Sequence, residues 1–178
     1  KISMSQHIGA PCQPQVKRGD EVKVGQIIGD TEAFVSSPIH SSVSGKVTGI
    51  ETQRNAMGGN DTLVVIETDK KQELAEDIKT PEVTDLASFV AATRASGLVG
   101  LGGASFPTHI KFNPKNRDEV KSLIINGAEC EPFITSDHRT MLEDAQNVID
   151  GALAVMKYLE LEDCYIGIED NKKDAIAN

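Results

Sequence analysis

Tryptophan is missing from this 178-residue chain, and five Phe and two Tyr are all the other large aromatic rings it has. So thin a supply excludes a base-stacking platform for single-stranded nucleic acid, which presents several aromatic faces in succession. Positive charge is also scarce: 18 Lys and Arg stand against 27 Asp and Glu, for a net charge of −9. That balance excludes broad attraction to nucleic acid or to anionic lipid and leaves room only for a local basic pocket. No apolar run approaches the roughly 20 residues of a membrane helix. A signal-peptide pattern is absent from the start, where "KISMSQ" reads as cut from something longer. The three cysteines, Cys12, Cys130 and Cys164, are far apart. They fit neither a disulfide framework nor a metal-ligand spacing, and read as free thiols of a reducing cytosol. His7, His40 and Cys12 lie in a turn-rich stretch and read as surface or packing residues, with no metal expected.

What is present divides near residue 70. Residues 7–68 are rich in Gly, Val, Ile, Ser and Thr. "VKRGDEVKVGQIIGD" turns at Gly19-Asp20 and again at Gly25, "SSVSGKVTGIE" alternates with breaks at Gly45 and Gly49, and "DTLVVIET" is a final strand. Short strands at this spacing predict a small all-β module over 1–70. Residues 71–82 are charged, end near a proline, and read as a linker or exposed surface segment.

From 83 to 178 helix and strand alternate, which implies a parallel α/β layer. "DLASFVAATRAS" predicts a helix with Thr84 or Asp85 as N-cap and Gly97 as its stop. "VKSLIIN" predicts a short buried strand over 120–126. Met141, Leu142, Ala145, Val148, Ile149, Ala152, Met156 and Leu159 follow helical spacing, with Thr140 and Glu143 as a capping box. "CYIGIE" is a second strand and "NKKDAIAN" opens a helix. One such unit is not a whole sheet, so the expectation is a two-domain α+β and α/β fragment whose second domain is incomplete.

Two stretches carry candidate chemistry. "SGLVGLGGASFPTHIKF", Ser96 to Phe112, is dense in glycine and ends on Lys111. Small residues let a backbone approach a ligand, and successive N–H groups can cradle a phosphate. Both standard phosphate motifs fail here. No Gly-Lys-Ser/Thr closes the stretch, Ser105 stands where a dinucleotide fingerprint needs a third glycine, and a helix precedes the loop rather than a strand. An anion cradle and a plain glycine-rich connection both remain open on spacing alone. The second stretch, "INGAECEPFITSDHR", leaves the carboxyl end of a predicted strand, where α/β sheets bind ligands. It carries Asn126 and two carboxylates, Glu129 and Glu131.

"VKRGDEVKVGQIIG" followed by "SPIHSSVSGKVTGIE" resembles the biotinyl and lipoyl carrier domains, flattened barrels of two similar halves. Those carry a modified lysine between the halves, and here Asp30 to Ser44 contains none. "ETDKK" imitates a lipoylation site but follows the second half, so a barrel-sandwich fold without a carrier role is expected.

"GLVGLGGASFPTHIKF" with "NGAECEPFITSDHR" resembles the flavoprotein that oxidises NADH in respiratory complex I. With "HIGAPCQPQVKRGDEVKVGQIIG" and "SSPIHSSVSGKV" directly before them, the motifs are similar to the C subunit of the Rnf-type complex, an ion-translocating ferredoxin:NAD oxidoreductase. The resemblance implies an FMN site in which Gly100, Gly102 and Gly103 line the flavin mononucleotide and Lys111 meets its phosphate or polar edge. It implies that Asn126 and Glu129 contact the flavin region, Phe106 stacks NADH, and Glu131 lies near the ribose. Hydride would pass between nicotinamide and flavin and single electrons onward to iron–sulfur centres, with no side-chain acid or base required.

Ala128 replaces an acid of the complex I pattern, Leu101 an arginine and Ser105 a glycine. The family's cysteine cluster comes later than Asn178, so 4Fe-4S clusters are expected outside this stretch and the fragment alone is expected to be inactive. The resemblance implies a peripheral protein on the cytoplasmic face of the cell membrane, partnered by the other members of the complex and by NADH. A non-enzymatic docking module with a degenerate nucleotide site is the second reading.

Overall fold

A computed structural model describes residues 1–178 apart from Met57 and Gly102. The chain forms two compact units, Lys1–Asn113 and Pro114–Asn178.

The first unit begins with seven strands: β1 (Ile2–Ser3), β2 (Gln13–Pro14), β3 (Glu21–Val22), β4 (Ile27–Asp30), β5 (Ile39–His40), β6 (Gly45–Arg54) and β7 (Asn60–Thr68). They pair antiparallel in two sheets, of order β1-β7-β6-β3 and β2-β4-β5. Inward-facing residues from both sheets meet in a single core. Met4, Cys12, Val22, Ile28, Ile39, Val47 and Val64 form it, with Met4, Ile28 and Val64 wholly buried. This is the expected barrel-sandwich architecture. The alternation of β6 breaks at Gly49 as its sequence suggests, while the strand itself runs on. The register shifts between Val47 and Gly49, so the strand bulges and continues.

The charged stretch after β7 is tied down by its backbone. The Val24 N–H donates to the Glu73 carbonyl at 2.8 Å and the Ala75 N–H to the Val24 carbonyl at 2.9 Å. Ala75 is buried, and the Lys23 ammonium meets Glu76 at 2.9 Å. Composition could not show this, because backbone groups make the attachment.

Helix α1 (Leu86–Ala95) follows, with Asp85 as its N-cap in a capping box with Ser88. Its last turn is fixed to the β module. Arg94 bridges to Asp30 at 2.8 Å and donates to the Thr31 carbonyl at 3.0 Å. Gly97 ends it with φ +73°. A Cβ there would stand 2.7 Å from the Pro38 carbonyl oxygen and 2.9 Å from His40 Nδ1. The short helix α2 (Thr108–Lys111) then packs on α1. The Phe89 and Phe112 rings stack with centroids 5.3 Å apart.

The second unit holds a 3-10 turn at Arg117–Glu119, then β8 (Ser122–Asn126), α3 (Ser136–Glu143), α4 (Ala145–Leu159), β9 (Asp163–Gly167) and α5 (Lys173–Ala177). β8 and β9 run parallel, in register from Ser122↔Asp163 to Asn126↔Gly167. α4 lies against both strands and buries Ala152, Val155 and Leu159.

Two expectations are corrected here. β8 is not a buried strand: Ile124 is 74% exposed, because among the described residues α4 covers only one face. Nor do Thr140 and Glu143 cap a helix over 141–159. They belong to α3, where the Thr140 hydroxyl donates to the Ser136 carbonyl one turn back and Glu143 pairs with Arg139. The backbone breaks at Asp144, and α4 begins after it. Helical spacing carries across such a break, so periodicity could not see it.

Ile28 is fully enclosed by both sheets. Ile28→Ala should therefore lower unfolding stability by about 2–5 kcal/mol, which urea denaturation checks.

Candidate functional site

The glycine stretch leaves α1 and returns to α2 as a closed loop. The Gly100 N–H donates to the Phe106 carbonyl at 2.9 Å and the Thr108 N–H to the Leu98 carbonyl at 3.0 Å. Val99 and Pro107 form an antiparallel bridge across the neck. The tip is exposed, with Leu101 at 92%. A Cβ on Gly103 would meet nothing within 4 Å, so its backbone is open to a ligand. Ser105 takes φ +51°, a conformation suited to the glycine of the complex I pattern.

Lys111 folds back to this loop. Its Nζ lies 3.1 Å from where a Gly100 Cβ would be. A Cβ there would press only on the flexible end of the Lys111 side chain, so the distance records how near the ammonium lies to the neck. The structure brings Gly100, Phe106 and Lys111 together, with Gly103 further along the same loop. Gly102 lies outside the described residues. Phe106 is half-buried.

His109, beside Lys111, escaped the sequence reading. It is 9% exposed, and its buried Nδ1 has no hydrogen-bond partner among the described residues. Burial, with a smaller contribution from the Arg94 charge, holds its pKa below the usual histidine value.

In the second unit Asn126 ends β8, level with Gly167 at the end of β9. The Gly127 N–H donates to the Gly167 carbonyl at 2.8 Å. The Asn126 side-chain oxygen accepts the Ala128 N–H at 3.1 Å. Glu129 Oε1 accepts the Asp137 N–H in the first turn of α3 at 2.9 Å. Its other oxygen, Oε2, is buried and has no hydrogen-bond partner among the described residues. A buried, unpaired carboxylate oxygen is costly, so it calls for a donor from a ligand or ordered water. Glu169, just past β9, accepts the Glu129 N–H at 3.4 Å. The sequence reading missed Glu169, although an acid directly after "CYIGI" occupies a second strand end. Glu131 is exposed.

His7 and Cys12 do meet, with the thiol 3.6 Å from Nε2, but both are buried among Ser36, Ser37 and backbone groups. Burial raises the Cys12 pKa, which disfavours a reactive thiolate. Two clefts of the first unit lie apart from the predicted residues. One of about 560 Å³ is bordered by Lys23, Lys46 and Lys71. Another of about 670 Å³ runs between Gly25–Ile27 and α1. Concavity alone carries less weight here than the convergent loop geometry.

Comparison with known proteins bears on the two parts of the chain separately. The RnfC barrel sandwich hybrid domain matches residues 1–71, and the Nuo51 FMN-binding domain matches residues 93–178. The chain is 46% identical over 98% of its length to the C subunit of the Na(+)-translocating ferredoxin:NAD(+) oxidoreductase complex of Acetobacterium woodii, of which it covers 40%. It is 44% identical over 98% of its length to the proton-translocating counterpart of Clostridium ljungdahlii, of which it covers 39%. To the C subunit of the ion-translocating oxidoreductase complex of Rhodobacter capsulatus it is 35% identical over 99%, covering 35%. Residues 1–71 are thus similar to the RnfC barrel sandwich hybrid domain and residues 93–178 to the Nuo51 FMN-binding domain. The chain is a homologue of the C subunit of the Rnf-type ion-translocating ferredoxin:NAD oxidoreductase complexes, and spans about two fifths of the length of the first two relatives named.

His109 gives a pH test of the loop's support. Its folded pKa is depressed, so below the unfolded value of about 6.5 the unfolded chain binds the extra proton. Its contribution is fully present above that pH and declines as pH falls toward the folded pKa. The thermal midpoint should drop on acidification from neutral pH, and His109→Gln should flatten that slope. Thermal melts across the range check both.

Proposed function

We propose that this chain is the FMN- and NADH-handling part of the C subunit of an Rnf-type complex. It would pass electrons between NAD(H), FMN and iron–sulfur centres in a complex that couples redox to ion movement. The observation that carries this reading is the Lys111 ammonium lying at the neck of the open glycine loop, 3.1 Å from a Gly100 Cβ position. The orphaned Glu129 oxygen is a second feature that fits a bound flavin.

Gly100, Gly102 and Gly103 bring backbone to the FMN, and Lys111 supplies positive charge for its phosphate or polar edge. In a chain of net charge −9 that local cation matters, since the overall charge opposes an anion's approach. Asn126 and Glu129 offer side chains to the flavin, Glu129 by its unpaired oxygen. Phe106 contributes an aromatic face and Glu131 a carboxylate for NADH. When bound, FMN supplies hydride acceptance and one-electron chemistry, and the side chains bind, orient and exclude water. No proton need be held by any of them.

The functional division follows: a barrel-sandwich module over 1–70, a tether over 71–82 and the flavin-handling part over 83–178. The partners are the other members of the complex, and 4Fe-4S clusters lie outside these residues. Among the described residues no helix is long and apolar enough to cross a membrane. The proposed place is peripheral, on the cytoplasmic face, held by protein contacts.

In the assembled complex, Lys111→Ala should cut bound FMN about tenfold or more, the scale of one lost charge-assisted hydrogen bond. Glu129→Gln should lower flavin content as well. Flavin absorbance per complex is the readout, and native content in both variants would overturn the assignment.

A further inference from the structure

Phe133 stands wholly in solvent, at 106% relative exposure, in a chain with few aromatic rings. Its backbone is left-handed, with φ +65°. A bulky residue seldom sits there, because Cβ crowds the following carbonyl. The local chain explains how it is held. The Ile134 N–H donates to the Glu131 carbonyl at 3.4 Å. Glu131, Pro132, Phe133 and Ile134 thus form a turn with proline second and a positive φ third. That is the type II pattern, whose third position ordinarily takes Gly or Asn. The loop is pinned on both flanks, by the Gly127 N–H on the Gly167 carbonyl and by the Asp137 N–H on Glu129. A turn so fixed keeps the ring outward and prevents its collapse onto the sheet.

An exposed aromatic held in strain is a mark of a residue kept for contact. A neighbour indicates what it contacts. The Glu131 carboxylate, two residues before in the same turn, is exposed. Carboxylates accept O–H and N–H groups and repel phosphates. The segment therefore suits the nucleoside end of a dinucleotide, with base for ring and ribose diol for carboxylate, and disfavours the pyrophosphate.

We propose that Phe133 stacks on a planar base of the nicotinamide nucleotide beside the Glu131 carboxylate. This rests on the FMN and NADH reading above and adds a residue to it. A protein partner could also use an exposed ring, but the exposed Glu131 carboxylate in the same turn favours a small polar ligand.

The test uses Phe133→Gly and Phe133→Trp in the assembled, FMN-loaded complex, reading the KM for NADH, flavin content, co-purification of the other members of the complex and thermal midpoint. Phe133→Gly should raise KM about tenfold, the scale of one lost base–aromatic stack. Its thermal midpoint should hold or rise, since glycine suits this φ. Phe133→Trp should keep KM near the native value. Unchanged KM in Phe133→Gly with full flavin content overturns this inference and leaves the FMN reading standing. A lowered midpoint alongside the KM change makes the residue structural and overturns it. Loss of the co-purifying partners assigns the ring to a protein contact and does the same. A native complex without flavin or NADH turnover overturns both readings.

Discussion

A side chain at position 97 would collide with the Pro38 carbonyl and the His40 ring, and that steric limit fixes where the glycine loop begins. The left-handed residue stops α1 one residue after its cap. Arg94, one turn earlier, is already bound to Asp30 at the end of β4. The helix end is thus held to the β module by an ion pair and by close backbone packing at once. The loop that follows inherits a fixed starting point, and its neck closes through backbone bonds. A half-buried ion pair contributes modestly by itself. Its value here is geometric, because it sets the direction in which the chain leaves the helix.

The second unit has its own constraint, the parallel register of β8 and β9. Aligned over five residue pairs, the strands end together at Asn126 and Gly167. Their carboxyl ends release Glu129 and Glu169 into one neighbourhood. The backbone then withholds one Glu129 oxygen from every described partner. Buried polar groups are rarely left so, and the exceptions gather where ligands bind. Phe133 repeats the theme in the backbone, since a bulky residue occupies a glycine-like position a few residues further on.

Much of the fold could be read from the sequence because its signals are local. The glycine turns of the β module, the Asp85 cap, the Gly97 stop and the two strands of the second unit all depend on near neighbours. Errors arose where a distant partner decided. Thr140 and Glu143 form a good capping pattern, yet α3 runs through them. The charged 71–82 stretch, read as a linker or exposed surface segment, is exposed apart from Ala75, with backbone bonds to Val24 holding its first part.

For the site, the sequence by itself determined the chemical inventory: a glycine-dense loop closed by Lys111, and a strand-end loop carrying Asn126, Glu129 and Glu131. Residue type and spacing are covalent facts, so motifs retain them without a fold. Tertiary structure alone decided which atoms are available. It set the Lys111 ammonium at Gly100, left Glu129 Oε2 and His109 Nδ1 unpaired among the described residues, and turned Phe133 outward. Those outcomes follow from burial and hydrogen-bond competition among residues far apart in the chain, which no linear pattern encodes.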